Sequence, residues 1–281
     1  MNDWRYHSAH DLGLQTHQRH CSPLRESDLT TSVLRLGWLM AVRTLLKCWN
    51  RLDIRGLENL PAQPPFVVVA NHSSHLDTMV LASALSLRWR DRISPLAAGD
   101  YFFATPPRAG FSAMILNALP IWRNRRTGQR HELGDLRERL INERAIYIVF
   151  PEGSRSRDGQ VHEFKPGFAT LIAGTAIPVL PCHLSGSFSA MPPNTFAVRP
   201  RKITLQIGSP RTFEPVANGA QGWRQIASFV REEIVALSTR ESSTRKIHPR
   251  HRYETLLLIV RVARLLLHRR LHGLVGFRGA G

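Results

Sequence analysis

The chain has 281 residues, enough for one large α/β domain or two small ones. Lys and Arg number 38 against 21 Asp and Glu, a formal charge of +17, so the expected partner is anionic: a phospholipid surface, phosphorylated substrates or nucleic acid. Three cysteines, Cys21, Cys48 and Cys182, lie far apart with no Cys-x-x-Cys pair, which argues against a disulfide framework or zinc ribbon and for a reducing, cytosolic setting. The N-terminal stretch has no apolar core of signal-peptide length. No uninterrupted apolar run nears the roughly 20 residues of a spanning helix; Leu256 to Val260 is typical of the longest. The expectation is a protein that is soluble or sits on a membrane face.

Residues 1–28 are polar and His-rich without periodicity and read as a mobile tail. Residues 29–50 carry a helical stretch, with Val33, Leu34, Leu36, Trp38, Leu39, Met40, Val42, Leu45, Leu46 and Trp49 beside Arg35, Arg43 and Lys47. Basic groups next to a broad apolar surface suit an interfacial helix, and equally a helix packed on the domain. Leu52 to Leu57 is a short strand, followed by a Pro-rich link. Phe66-Val67-Val68-Val69-Ala70 is a short, β-branched buried strand, and Thr78 to Trp89 is a helix without Gly or Pro. Between them stands Asn71-His72-Ser73-Ser74-His75-Leu76-Asp77, with cap-type residues Asn71, Ser73 and Ser74.

His72 thus sits at a strand-to-helix turn, with Asp77 in the first turn of the helix. A histidine accepts a proton near neutral pH, and an acceptor on its other nitrogen fixes the tautomer and stabilises the imidazolium. A substrate hydroxyl can be the group deprotonated, so no serine or cysteine nucleophile is required. The plainer alternative is a capped helix with a solvated His. A metal site of His72, His75 and Asp77 would need a further ligand, and no short motif nearby completes one.

Ile93 to Ala98 reads as another strand, and residues 101–122 are aromatic and apolar, fit to line a greasy groove or to be core. Arg123, Arg125, Arg126 and Arg130 follow, a basic surface of the side chain best shaped for bidentate phosphate contacts. Leu133, Leu136, Leu140 and Ile141 recur at helical spacing, and Ala145 to Phe150 is strand-like. That strand ends in Phe150-Pro151-Glu152-Gly153-Ser154-Arg155-Ser156, where α/β proteins keep their sites. Lys165-Pro166-Gly167 precedes an expected helix from Phe168 to Gly174, a candidate anion site.

Ile177-Pro178-Val179-Leu180-Pro181 reads as a strand that its two prolines keep out of the regular centre of a sheet. Residues 186–200 read as loop, Lys202 to Gly208 as a half-buried strand, and Trp223 to Leu237 as an amphipathic helix. Residues 241–281 form a basic, leucine-rich extension whose stretch Tyr253 to Leu271 suits a second interfacial helix. The expected class is α/β: a single domain, residues 51–240, with a mixed, largely parallel central sheet flanked by helices, plus amphipathic helices at both ends.

Four stretches together resemble the glycerolipid acyltransferase family, the PlsC-like 1-acylglycerol-3-phosphate O-acyltransferases. Asn71, His72, Ser73-Ser74 and Asp77 match its first motif, Asn-His-x-Ser-x-x-Asp. Phe150 to Ser156 match the third, with Phe164-Lys165-Pro166-Gly167 downstream, and Ile177 to Pro181 match the Pro-rich fourth. The second motif, Gly-x-Ile/Val-Phe-Ile-x-Arg, is kept mainly at Ile121 and Arg123, in Asn117-Ala118-Leu119-Pro120-Ile121-Trp122-Arg123. The resemblance implies acyl transfer from acyl-CoA or acyl carrier protein to a lysophospholipid hydroxyl, most simply that of 1-acylglycerol-3-phosphate, with glycerol-3-phosphate or lyso-ornithine lipid as alternative acceptors. It implies His72 as base and Asp77 as its orienter, with Arg123, Glu152, Gly153, Ser154, Arg155, Lys165 and Gly167 at the acceptor. Direct transfer needs neither metal nor cofactor. A peripheral place on an anionic membrane at the cytoplasmic face follows, with no nucleic acid as partner: no helix-turn-helix, finger or RNA-binding motif accompanies the charge.

Overall fold

The apolar run Phe66–Ala70 is a strand with all five residues buried. Alternation sends Phe66, Val68 and Ala70 into one core and Val67 and Val69 into another. A strand buried on both faces needs no polar alternation, which is why the sequence here is a continuous hydrophobic run. The structure, a computed structural model, describes residues 11, 13–122, 129–193, 195 and 197–247.

In chain order come α1 (Thr16–Cys21), α2 (Leu29–Cys48), β1 (Asp53–Arg55), β2 (Phe66–Ala70), α3 (Leu76–Ala84) and β3 (Ile93–Ala98). Two short helices follow, α4 (Gly99–Phe102) and α5 (Pro106–Gly110), the latter running into a π-helical turn over Phe111–Ile115. Then come β4 (Leu119–Ile121), α6 (Gln129–Asn142), β5 (Ile146–Val149), β6 (Val179–Ser185), α7 (Ser187–Ala190), β7 (Thr204–Ile207) and α8 (Ala220–Ile247). The strands form one seven-stranded sheet in the order β1-β7-β6-β2-β5-β3-β4. Every pair is parallel except β6 with β7, so the sheet is mixed and largely parallel, as expected.

One core lies between the sheet and α2 and α3, with Leu46, Val80 and Leu81 meeting Ile148, Leu180 and Cys182. The other lies between the sheet and α6 and α8, with Leu136, Leu140, Ile226 and Val230 meeting Tyr147, Val149 and Val179. The compact unit ends at Leu237, inside α8. The basic stretch Tyr253 to Leu271 lies outside the described residues.

Several expectations need correction. Residues 13–28 are no loose tail, while residues 1–10 and 12 lie outside the described residues: α1 forms, and Arg25 is buried with its guanidinium on the carbonyl of Ala118. Their hold on the domain is polar, so hydrophobic periodicity carries no trace of it. β6 lies well inside the sheet although it contains Pro181. The Pro181 carbonyl accepts from Gly208 on the β7 side, and the regular β6–β7 ladder starts only at Cys182, so the missing N–H falls at the end of that ladder and not within it. β7 is buried at all four residues instead of half-buried, because β1 and β6 flank it. Pro166–Leu171 is a 3₁₀ turn rather than the expected α-helix over 168–174.

α2 reconciles its two readings. Asp28 and Thr31 form a reciprocal cap at its start. Arg35, Leu39, Val42 and Leu46 are buried against the domain, while Leu29, Val33, Leu36 and Met40 are exposed on the remaining surface. Arg35, expected on a basic face, instead pairs with Asp91 at 3.1 Å and donates to the Ala113 and Met114 carbonyls. By length and composition alone α2 could cross a membrane, contrary to the uninterrupted-run argument, but a third of its apolar window is buried in the fold.

The doubly buried strands carry the stability. Ile148 is 0% exposed at the sheet centre. Ile148→Ala is expected to cost about 2–5 kcal/mol, read as a lower midpoint in urea unfolding at unchanged slope.

Candidate active site

Strands β2, β5 and β6 run parallel side by side, so their C-terminal ends open on one edge of the sheet. The turn after β2 is pinned there. The Asn71 carboxamide donates to the Leu184 carbonyl at 3.0 Å and accepts the Leu184 N–H at 2.8 Å, a two-point clasp onto β6. The Ser74 hydroxyl donates to the Met191 carbonyl at 2.8 Å. On the β5 side, the His72 carbonyl accepts the Ser156 N–H at 2.7 Å, and the Phe150 ring stacks on the imidazole at 4.1 Å.

α3 begins at Leu76, whose N–H donates to Ser74 Oγ at 3.2 Å, while His75 at the cap position makes no side-chain cap. Asp77, in the first turn, also reaches back. Its Oδ2 accepts from the Ser73 N–H at 2.7 Å, the Ser74 N–H at 2.8 Å and His72 Nδ1 at 3.0 Å. Asp77 is 0% exposed and His72 18%, so the carboxylate is closed to water while the ring keeps access. With Nδ1–H donating to the carboxylate, Nε2 is the unprotonated nitrogen. That is the tautomer a general base needs.

His72 lines a cavity of about 600 Å³. Its apolar lining includes Leu116, Ile121, Trp122, Leu133, Leu136 and Phe168, so the stretch 101–122 serves as groove lining as well as core. The cations Arg155 and Lys165 line it too, with Gly153, Ser154 and Gly167. Among the described residues neither cation is paired with a carboxylate. Gly153 has φ +74, and a Cβ there would lie 2.8 Å from Lys165 Nζ. Glycine therefore both makes the turn and lets the ammonium cross its backbone. Gly167 has open space where a Cβ would go, so no close approach explains it.

Glu152 stands elsewhere. Its carboxylate turns from the cavity lining, is buried, and accepts the His72 N–H at 3.0 Å on Oε1. Burial raises its pKa. It links the two turns rather than facing a ligand. Arg123 lies outside the described residues. His75, Tyr101 and Phe102 also line the cavity, and the His75 ring stacks over Tyr101. Burial, with Arg155 and His72 nearby, lowers the His75 pKa to about 4, so this ring is neutral beside the cations. Among the described residues no group of three or more His, Cys, Asp or Glu gathers as a metal site.

Sequence reasoning missed the Asn71 clasp, the Phe150 stack and the inward turn of Glu152. Each joins residues far apart in the chain, and no local spacing signals it. It also left the second motif's departure unexplained. Asn117 has φ +52, a left-handed backbone that asparagine tolerates better than other residues with a Cβ. That backbone is one glycine also adopts.

Residues 51–185 match the family model described as Acyltransferase. The chain is 34% identical over 146 residues to the chloroplastic 1-acyl-sn-glycerol-3-phosphate acyltransferase BAT2 of Brassica napus, covering 50% of this chain and 39% of that protein. It is 29% identical over 135 residues to the alpha form of 1-acyl-sn-glycerol-3-phosphate acyltransferase from Mus musculus, covering 48% and 45%. It is 26% identical over 182 residues to the 1-acyl-sn-glycerol-3-phosphate acyltransferase of Pseudomonas aeruginosa, covering 62% and 67%. The chain thus spans less than half the length of the plant and mouse relatives. In fold it is similar to the crystal structure of PlsC, the 1-acyl-sn-glycerophosphate acyltransferase of Thermotoga maritima, with TM-score 0.53 and 23% identity over 72% of this chain and 79% of that one. The matched acyltransferase region carries the whole His72 turn, and with related sequences from plant to bacterium and a shared sheet architecture the chain is similar to the PlsC-like glycerolipid acyltransferases.

Proposed function

We propose that the protein is an O-acyltransferase that moves a fatty acyl group from acyl-CoA or acyl carrier protein to the free hydroxyl of a lysophospholipid. The acceptor we assign is 1-acylglycerol-3-phosphate and the product phosphatidic acid, as the names of its relatives suggest. One observation carries this reading. A buried Asp77 orients His72 on a cavity whose lining is mostly apolar yet includes two cations that have no counter-ion among the described residues.

Each group then has a task. His72 Nε2 takes the proton of the acceptor hydroxyl, and the alkoxide oxygen attacks the thioester carbonyl carbon. Asp77 stabilises the imidazolium as it forms. The tetrahedral oxyanion collapses, the C–S bond breaks, and the thiolate recovers the proton from the imidazolium. Arg155 and Lys165 hold the acceptor phosphate, the natural ligand of unpaired cations on an apolar surface. Arg123 would join them. Glu152 fixes the His72 backbone, and Gly153 gives Lys165 its path. The apolar lining takes an acyl chain.

The exposed apolar side of α2, with an overall charge of +17, supports peripheral attachment to the cytoplasmic face of an anionic membrane. Greasy substrates then reach the cavity from the leaflet that holds them.

The direct test is purified protein with radiolabelled acyl-CoA and, side by side, 1-acylglycerol-3-phosphate, glycerol-3-phosphate and lyso-ornithine lipid. Labelled phosphatidic acid is expected; no transfer to any acceptor removes the reading. His72→Ala is expected to lower kcat by about 10²- to 10⁴-fold while circular dichroism stays that of the folded protein, and Asp77→Ala to lower kcat likewise and the melting temperature as well. Arg155→Ala is expected to raise the acceptor KM by about 10-fold or more, a lost charge-assisted contact, while the donor KM holds.

His75 adds a pH effect on stability. Its folded-state pKa lies near 4, below the ordinary 6.5, so the unfolded chain takes up a proton first as pH falls. Stability is then fully present above about pH 6.5 and is lost as pH falls toward the folded value. Allowing for the ring's partial exposure, the loss is about 1 kcal/mol. His75→Gln is expected to narrow the gap between melting temperatures at neutral and mildly acid pH.

A further inference from the structure

Among the described residues three buried arginines lie outside the site: Arg25, Arg35 and Arg139. Arg25 precedes α2, in the segment that sequence alone reads as a tail. Its Nη2 donates to the Ala118 carbonyl at 2.6 Å and to Asn117 Oδ1 at 3.3 Å. Its Nη1 faces the carbonyls of His20 and Ser22 at 3.3 and 3.5 Å. Among the described residues Arg25 has no carboxylate partner. Burial, with Arg139 and Arg35 close by, lowers its pKa to about 9. A buried guanidinium held by neutral oxygens costs stability that a packed leucine would not. Merely fastening a chain end does not call for one.

The contacts of this segment explain the placement. Arg139, on α6, reaches over to the Pro23 carbonyl and pairs with Glu143 at 2.8 Å. Arg35, on α2, holds the Ala113 and Met114 carbonyls. The Asn117 carboxamide donates to the Asp91 and Ile93 carbonyls and to Ser94 Oγ, at 3.0, 2.9 and 3.1 Å, bracing the same stretch against the start of β3. Residues 19–25 therefore bridge α6 and the stretch 113–118. Those two pieces are walls of the cavity: Leu116 and Ala118 belong to one, Leu133 and Leu136 to the other. The chain itself joins them through residues 119–128. The segment before α2 is a second, polar tie between the same walls.

We propose that this strap sets the spacing of the two cavity walls, and that Arg25, acting through Ala118 and Asn117, is a positioning residue that selects the length of acyl chain the cavity accepts. Arg25 touches neither substrate nor His72; it acts by fixing the backbone at Ala118. The inference rests on the acyl-transfer reading above.

The test uses the full chain with Arg25→Met, which keeps the length and apolar stem but removes every donor, and with Arg25→Lys, which restores one donor. For each, kcat/KM is measured over a homologous series of saturated acyl-CoA thioesters from short to long, at fixed 1-acylglycerol-3-phosphate. In Arg25→Met the preference between the best chain and its next longer neighbour is expected to fall by about 10-fold, the discrimination that one well-packed methylene supplies. The acceptor KM should stay at its wild-type value, and Arg25→Lys should regain part of the preference. A folded Arg25→Met enzyme with the wild-type profile overturns the proposal. So does a loss that falls equally on every chain length, which is what general destabilisation produces. If Arg25→Met does not fold, Asn117→Gly carries the same expectation, since glycine accepts the left-handed backbone and removes the Arg25 acceptor; if neither folds, the profile of Arg25→Lys decides alone. A wild type that transfers no acyl group at all sinks the acyl-transfer reading instead, and an active wild type with unaltered variants sinks only the strap.

Discussion

A single carboxylate oxygen, Asp77 Oδ2, gathers the Ser73 N–H, the Ser74 N–H and His72 Nδ1. A buried carboxylate is costly unless its charge is met by donors, and here backbone and imidazole meet it together. The same bonds shape the turn, select the histidine tautomer and keep the helix start from unravelling. Removing that oxygen would leave two buried amide donors and one ring nitrogen without a partner, each costing about 1–3 kcal/mol. Fold and proposed chemistry are thus inseparable at this point. The rest of the architecture brings neighbours to it: β6 supplies the Leu184 backbone for Asn71, and the end of β5 supplies Phe150, Glu152 and Ser156.

Glu152 shows how the two turns communicate. Its carboxylate accepts the His72 amide while burial favours its protonated form. Oε2 has no partner among the described residues. A side chain that sequence pattern places at the acceptor is instead the rivet behind the base. Arg155 and Lys165, three and thirteen positions later, are the ones that reach the cavity.

Much of the arrangement is legible in the amino-acid sequence by itself. The strands Phe66–Ala70 and Ile93–Ala98 and the helix Leu29–Cys48 can be read there because local sequence decides them: β-branched runs, and apolar residues at helical spacing. The His72–Asp77 approach can be read because five residues span one tight turn. What stays hidden depends on partners remote in the chain. β6 carries Pro181 at the end of the regular β7 ladder, which begins one residue later, a matter of register. The inward turn of Arg35 depends on Asp91, and the folding of residues 19–25 depends on Arg25 and Arg139 finding carbonyls across the domain. Polar docking of that kind leaves no hydrophobic period to find.

Cys182 sits in register with Ala70, one residue before Asn71 and two before His72, and is 2% exposed. Burial pushes its thiol far toward the protonated, unreactive form. Cys21 and Cys48 have no such shelter. A thiol reagent therefore meets the third cysteine only when β6 parts from β2, so its slow phase of labelling times how often the floor beneath the imidazole opens.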